Sequence, residues 1–120
     1  MGKPACFIDA DDAPARLAVE LDDAVLDVAF RLERAKDAAI SEMGRAVMAQ
    51  AQIIRMAMVM APWAPDAVRD VEHLYRQLVL LEGRVMRSRV KQEDRVAVTV
   101  ARARGFRLAQ RLVSLRGTSA

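Results

Sequence analysis

Two prolines near the middle of the chain, in Ala61-Pro62-Trp63-Ala64-Pro65-Asp66, constrain the fold more than any other feature. Proline lacks a backbone N–H and pushes the residue before it out of the helical region, so a helix that reaches this segment must end there. Turn-forming residues are scarce elsewhere, because the 120 residues include only 5 Gly and 4 Pro. The two prolines therefore predict one sharp turn at residues 62–65, between two long segments.

The segment before this turn has the periodicity of a single long helix. Apolar or small residues recur about every 3.6 positions, which is the α-helical repeat. This stripe comprises Leu17, Leu21, Ala24, Val28, Leu32, Ala35, Ala39, Met43, Ala46, Gln50, Ile53, Ala57 and Met60. Asp11 and Asp12 offer side-chain caps and Pro14 suits a first turn, so we expect a helix over about residues 13–61. At Gly44 we expect a kink rather than a loop.

The segment after the turn predicts a second helix over about residues 66–116. An apolar stripe marks its first part, at Val68, Val71, Leu74, Leu78, Leu81 and Val85. Residues 87–95 are almost wholly polar but contain neither Gly nor Pro, so we expect an exposed part of a continuous helix. The alternative is a loop near residues 88–94. Val96, Val98 and Val100 also alternate like a strand, but a single strand would have no partner.

These segments predict an all-α fold: a long antiparallel helical hairpin in one domain, residues 12–116, with frayed tails at 1–11 and 117–120. Several apolar residues fall outside the main stripes, at Leu26, Phe30, Ile40, Met48, Met58, Val79, Met86 and Val90. We therefore expect two chains to dimerise into an elongated four-helix bundle that buries these second faces. The oligomer seam would be built by Leu74, Leu78, Leu81, Leu108 and Leu112.

Composition excludes several other classes of protein. Aromatic residues make up only 4% of the chain, and strand-rich folds need more of them and more turn residues. The longest charge-free apolar run, Met56 to Pro65, is about half the length that spans a bilayer, so we expect no membrane insertion. No secretory signal pattern is present, which predicts a cytoplasmic protein. Cys6 is the only cysteine, so one chain can form neither a disulfide nor a thiolate zinc site.

Charge is distributed unevenly along the chain. Residues 1–42 hold ten acidic and five basic residues, whereas residues 84–120 hold two acidic and ten basic ones. In an antiparallel hairpin these regions would lie side by side and form ion pairs that fix the register. The competing hypothesis is a small nucleic-acid-binding regulator with phosphate contacts from Arg87, Arg89, Lys91, Arg102, Arg104, Arg107 and Arg111. No known nucleic-acid-reading motif accompanies these residues.

The only histidine is His73, in Asp70-Val-Glu-His73-Leu-Tyr-Arg76. This fragment resembles the phosphoacceptor helix of histidine phosphotransfer domains, in which a cation follows the histidine by three residues, and the resemblance implies a phosphotransfer module. Gln77 and Leu78 depart from it, because that family places a small residue next. Neighbouring acidic residues equally suit an ordinary surface histidine. A single histidine cannot complete a helical di-iron site, and no serine or cysteine has a nearby His–acid pair. We therefore expect no enzymatic activity, cofactor or metal.

Two further features point to partners. Trp63, at the tip of the hairpin, is either covered by a neighbouring chain end or exposed to a partner. Met43, Met48, Met56, Met58 and Met60 would form either core or an adaptable partner groove. We expect a non-enzymatic interaction or assembly protein that forms a homo-oligomer and could also bind another protein. Nucleic-acid binding is the alternative, and phosphotransfer through His73 is a third hypothesis.

Overall fold

The computed structural model describes residues 13–61 and 64–119, with side chains up to residue 115. These residues form four helices: α1 (Pro14–Leu32), α2 (Ala38–Met60), α3 (Pro65–Met86) and α4 (Gln92–Ser119). Each helix packs against two others, in the cyclic order α1, α2, α3, α4 and back to α1. No strand is present in the described ranges, which confirms the expected all-α class.

Neighbouring helices run antiparallel. Near the start of α1, Oε1 of Glu20 lies 2.6 Å from Nη1 of Arg104 on α4. At the other end of α1, Nη1 of Arg31 lies 3.1 Å from Oδ1 of Asp94, close to the start of α4. The remaining neighbours are joined by short connections, which favour antiparallel packing. One chain therefore forms an up-down-up-down bundle, with principal extents of 54 × 30 × 19 Å.

The prediction of one helix over residues 13–61 is wrong, because residues 33–37 form a connection between α1 and α2. Asp37 caps α2: its backbone is extended, and its Oδ1 accepts a hydrogen bond from the N–H of Ala39 at 3.0 Å. Four of these five residues are charged, so the segment has little apolar surface to hold a helix against the core. Gly44, where we expected a kink, lies within the unbroken span of α2.

This connection also changes which residues of α2 face the core. In α1 the predicted stripe is confirmed, since Leu17, Leu21, Val28 and Leu32 are buried. In α2 the buried apolar residues are Ile40, Val47, Ala51, Ile54 and Met58, among them two that we had placed outside the main stripe. Within the predicted α2 stripe, Ala46, Ile53 and Met60 are exposed, whereas Met43 and Ala57 are half-buried and pack against the edge of the core. A helical period cannot be extended across a loop, because loop residues do not each rotate by the same 100°.

The second arm is also broken. The expectation of a continuous helix is wrong and the alternative of a loop is confirmed, since α3 ends at Met86 and α4 begins at Gln92. The connecting residues 87–91 include only one apolar side chain, Val90, that packs against the core. Val96, Val98 and Val100 lie within α4, so their alternation does not mark a strand. Pro65 begins α3, where its missing N–H costs no hydrogen bond.

The apolar core lies between the four helices and includes the predicted seam. Leu74, Leu78, Leu81 and Leu108 are 0% exposed and Leu112 is 2% exposed within a single chain. The assignment of these leucines to an oligomer seam is therefore wrong, because a buried side chain cannot contact a second copy. A single chain also supplies all four helices of a bundle. Any association between copies must use other residues.

Candidate interaction surfaces

The seven basic residues proposed to contact phosphate do not form one surface. Arg104 pairs with Glu20 on α1, whereas Nε of Arg102 lies 2.9 Å from Oε1 of Glu82 on α3. These carboxylates hold the two arginines on opposite sides of α4. Arg107 and Arg111 are not without interaction partners either. The Glu20–Arg104 pair confirms part of the predicted pairing between the acidic and basic regions.

The other three basic residues, Arg87, Arg89 and Lys91, are exposed in the α3–α4 connection. Because the helices alternate in direction, this connection lies at the same end of the bundle as the α1–α2 connection. We call residues 33–37 and 87–91 together the loop end. It gathers exposed basic residues from both halves of the sequence, including Arg34 and Lys36.

Two carboxylates tie the elements at the loop end together. Nε of Arg84, on α3, donates a hydrogen bond to Oδ2 of Asp37 at 3.1 Å. This bond lowers the pKa of Asp37, with a smaller contribution from the backbone N–H of Ala39. Hydrogen bonds from Arg31 to Asp27 and Asp94 raise the pKa of the Arg31 guanidinium. The carboxylates of Asp37 and Asp94 are therefore both bound by arginines of the bundle, Asp37 by Arg84 and Asp94 by Arg31.

His73 and Trp63 give no developed site. The His73 side chain is exposed on α3, and its Nε2 lies 3.2 Å from the side-chain nitrogen of Gln77 on the next helical turn. Phosphotransfer through His73 stays a prediction. Trp63 lies outside the described residues, as do Cys6, Asp11 and Asp12.

The outward side of α2 is an exposed apolar surface that sequence reasoning missed. We define the α2 face as Ala46, Ala49, Ile53, Met56 and Met60, all of which are exposed. Ile53 is 62% exposed, Met56 67% and Met60 81%. Steps of three and four residues separate these positions in alternation, which is the heptad spacing of a coiled-coil seam. Three of these five residues, Ala46, Ile53 and Met60, belong to the stripe that we predicted to be buried.

The α2 face is also free of charge. Arg55 is the only charged residue between Ala46 and Met60. Its Nη1 lies 2.9 Å from Oδ2 of Asp22 on α1, a carboxylate that is largely buried. The guanidinium is thus held at the side of α2 that faces α1. A charge-free, exposed apolar helix face is typical of an interaction site.

Apolar side chains on the other helices are exposed among charged neighbours. Leu26, Phe30, Val79 and Met86 are exposed, as the prediction of surplus apolar surface required. Phe30, however, is adjacent to Arg31 and lies one turn from Asp27. These two charged residues form an ion pair in which Nε of Arg31 lies 3.0 Å from Oδ2 of Asp27. Single apolar side chains among charged neighbours are common on protein surfaces, so these positions are weaker candidates for a docking surface.

Nothing in the described residues assembles a metal site or a membrane span. Within residues 13–61 and 64–119, no group of three or more His, Cys, Asp or Glu side chains is placed to hold a metal ion. None of the helices in these ranges is long and apolar enough to cross a membrane. Comparisons with known protein families, with curated proteins and with solved structures found no match. The function is therefore inferred from the surfaces of this chain alone.

Proposed function

We propose that this protein is a non-enzymatic assembly protein that associates with itself through the α2 face. The observation that carries the proposal is an exposed, charge-free helix face with heptad spacing. Leaving Ile53, Met56 and Met60 in water is unfavourable, since burying one such side chain fully is worth about 1.5 to 3 kcal/mol. A partner helix with the same spacing would cover all three.

The distribution of side-chain size along the α2 face supports a second copy as the partner. Small residues, Ala46 and Ala49, lie toward its beginning, and large ones, Met56 and Met60, toward its end. In an antiparallel pair with a two-fold axis at Ile53, Ala46 would lie opposite Met60, and Met56 would lie within one residue of the position opposite Ala49. Each large side chain would then fill the space above a small one. A parallel pair would place methionine against methionine and leave gaps between the alanines.

Charge and area are consistent with the same arrangement. Arg55 is neutralised by Asp22 within each chain, so Arg55 would bring no uncompensated charge to a pair of facing α2 helices. A stable interface buries about 800 Å² per partner. That is roughly a tenth of the 7670 Å² surface of this chain, so further exposed residues of α2, such as Val59, would join the contact.

The alternative hypothesis, nucleic-acid binding along α4, has less support. Arg102 and Arg104 would have to exchange their carboxylate partners for phosphates, and they lie on opposite sides of the helix. A continuous basic stripe, which is typical of phosphate-backbone recognition, is therefore not formed by these two residues.

The experiment is a mass measurement by light scattering on the unmodified protein and two variants. Ile53→Lys places a charge at the proposed two-fold axis, where it would meet its own copy. Val96→Lys is the matched control: Val96 is 51% exposed on α4, which does not contact α2. Lysine suits a helix surface, so both variants should keep the fold.

We expect the unmodified protein and Val96→Lys to have twice the 13.3 kDa mass of one chain, and Ile53→Lys to be monomeric. Circular dichroism checks that all three remain equally helical. A monomeric unmodified protein would overturn the proposal, and so would an Ile53→Lys variant that remains a dimer.

A further inference from the structure

The loop end contains a cleft of about 660 Å³. One wall comes from residues 33–37 and the other from residues 87–91, and Leu32 and Ile40 lie at its base. Both base residues belong to the apolar core and are at most 1% exposed. Small-molecule sites in proteins usually measure about 300 to 1,000 Å³. The cleft therefore has the size and the apolar base of a ligand site.

The lining of the cleft is strongly basic. Its charged residues are Arg31, Arg34, Lys36, Arg89 and Lys91, together with the acidic Asp37 and Asp94. Both carboxylates are already bound, Asp37 by Arg84 and Asp94 by Arg31. Neither is therefore available to neutralise the remaining cations.

Four cations of the cleft have no carboxylate partner within the described part of the chain: Arg34, Lys36, Arg89 and Lys91. Two come from each loop, so the fold brings together like charges that are distant in the sequence. Like charges that converge in a cleft repel each other and raise the local concentration of anions. The helices α2 and α4 also begin at this end, and helix N-termini add positive potential.

We propose that this cleft binds a small phosphorylated ligand with several negative charges, a nucleoside triphosphate or a related polyphosphate. Arginine binds phosphate through paired N–H groups and lysine acts as a point charge, so two of each can distribute over a polyphosphate chain. The apolar base accommodates an uncharged part of the ligand. The lining contains no aromatic side chain on which a nucleobase could stack. Recognition therefore rests on the phosphates, and inorganic tripolyphosphate should bind as well as ATP does.

This site is independent of self-association, because it lies at one end of the bundle and shares no residue with the α2 face. The test is isothermal titration calorimetry on the full chain with inorganic tripolyphosphate and with ATP, without divalent metal. The titrations run at about 20 mM and about 150 mM salt, since screening weakens exposed charges. A short DNA duplex serves as the third probe.

The variant that removes the site is Lys36→Gln with Arg89→Gln, one cation from each loop. Its matched control is Arg69→Gln with Arg76→Gln, two exposed cations on α3 whose loss changes the net charge equally. We expect at least about a tenfold loss of affinity for both small anions in the cleft variant, because two charge-assisted contacts are removed. In the control variant we expect less than about a twofold change, because these residues lie outside the cleft.

Three results would overturn the proposal. The first is no binding of tripolyphosphate or ATP at the lower salt concentration. The second is an equal loss in the cleft and control variants, which would show attraction to net charge only. The third is a duplex that competes with both small anions for the cleft and binds more tightly than either, which would show that the cleft serves a nucleic acid.

Discussion

Helices α2 and α3 are consecutive, nearly equal in length and packed against each other, yet their outer surfaces differ. Each buries a stripe of seven residues in the shared core. The outward side of α3 carries charged residues such as Arg69 and Arg76, whereas that of α2 carries Ile53, Met56 and Met60. Burial in the core explains most of the apolar residues of α3, and the exceptions are Val79, Leu80 and Met86, which are exposed. It leaves those on the outer side of α2 unexplained, and we assign them to a contact between copies.

The largest expected effect is a difference in the free energy of unfolding between two methionine substitutions, one on the buried side of α2 and one on its exposed side. Met58 is 1% exposed and Met56 67% exposed. Met58→Ala should lower the free energy of unfolding by about 2 to 5 kcal/mol, because it leaves a cavity in the core. Met56→Ala should change it by less than about 0.5 kcal/mol. Urea denaturation at low protein concentration, where copies are dissociated, measures both values. Equal losses would show that Met56 is part of the core.

A smaller effect is expected at Gly44, on the side of α2 that packs against α1. A Cβ built at this position would lie 3.5 Å from the Cα of Ala29, which is ordinary van der Waals contact. Alanine should therefore fit, and Gly44→Ala should raise the free energy of unfolding by up to about 1 kcal/mol through its better helix propensity. Thermal denaturation monitors the change. A lower melting temperature would mean that α1 and α2 pack more closely than the structure shows.

The smallest effect concerns Asp37, which joins the beginning of α2 to the end of α3. Its pKa is lowered in the folded state by the hydrogen bond from Arg84. Because the pKa of Asp37 is lowered on folding, its ionised carboxylate stabilises the fold at every pH above the ordinary pKa of 3.8. This stabilisation is lost as the pH falls through the folded-state pKa. In Asp37→Asn, which keeps a capping side chain but cannot ionise, the melting temperature should therefore fall less between pH 6 and pH 3 than in the unmodified protein. Parallel pH profiles of the two proteins would contradict this account.

The sequence is sufficient to predict the fold class, the interruption between the end of α2 at Met60 and the start of α3 at Pro65, and the buried stripes of α1 and α3. It misled us where loops lack Gly and Pro. At residues 33–37 the signal was present in the charged run and in Asp37, a good capping residue, but the regular period appeared to continue through it. That one missed loop shifted the predicted buried side of α2 around the helix, so the exposed Ile53 and Met60 were placed in the core. The cleft at the loop end could not be predicted either, because it requires both loops to meet in space.

Disulfide trapping at the proposed two-fold axis tests the central claim most directly. In a Cys6→Ser background, Ile53→Cys places one thiol on the α2 face of each chain, and two such thiols would meet in the antiparallel pair. We predict that mild oxidation converts most of this variant into a covalent dimer of twice the 13.3 kDa chain mass, whereas Val96→Cys forms no covalent dimer. Equal cross-linking of the two variants, or none at position 53, would contradict the account.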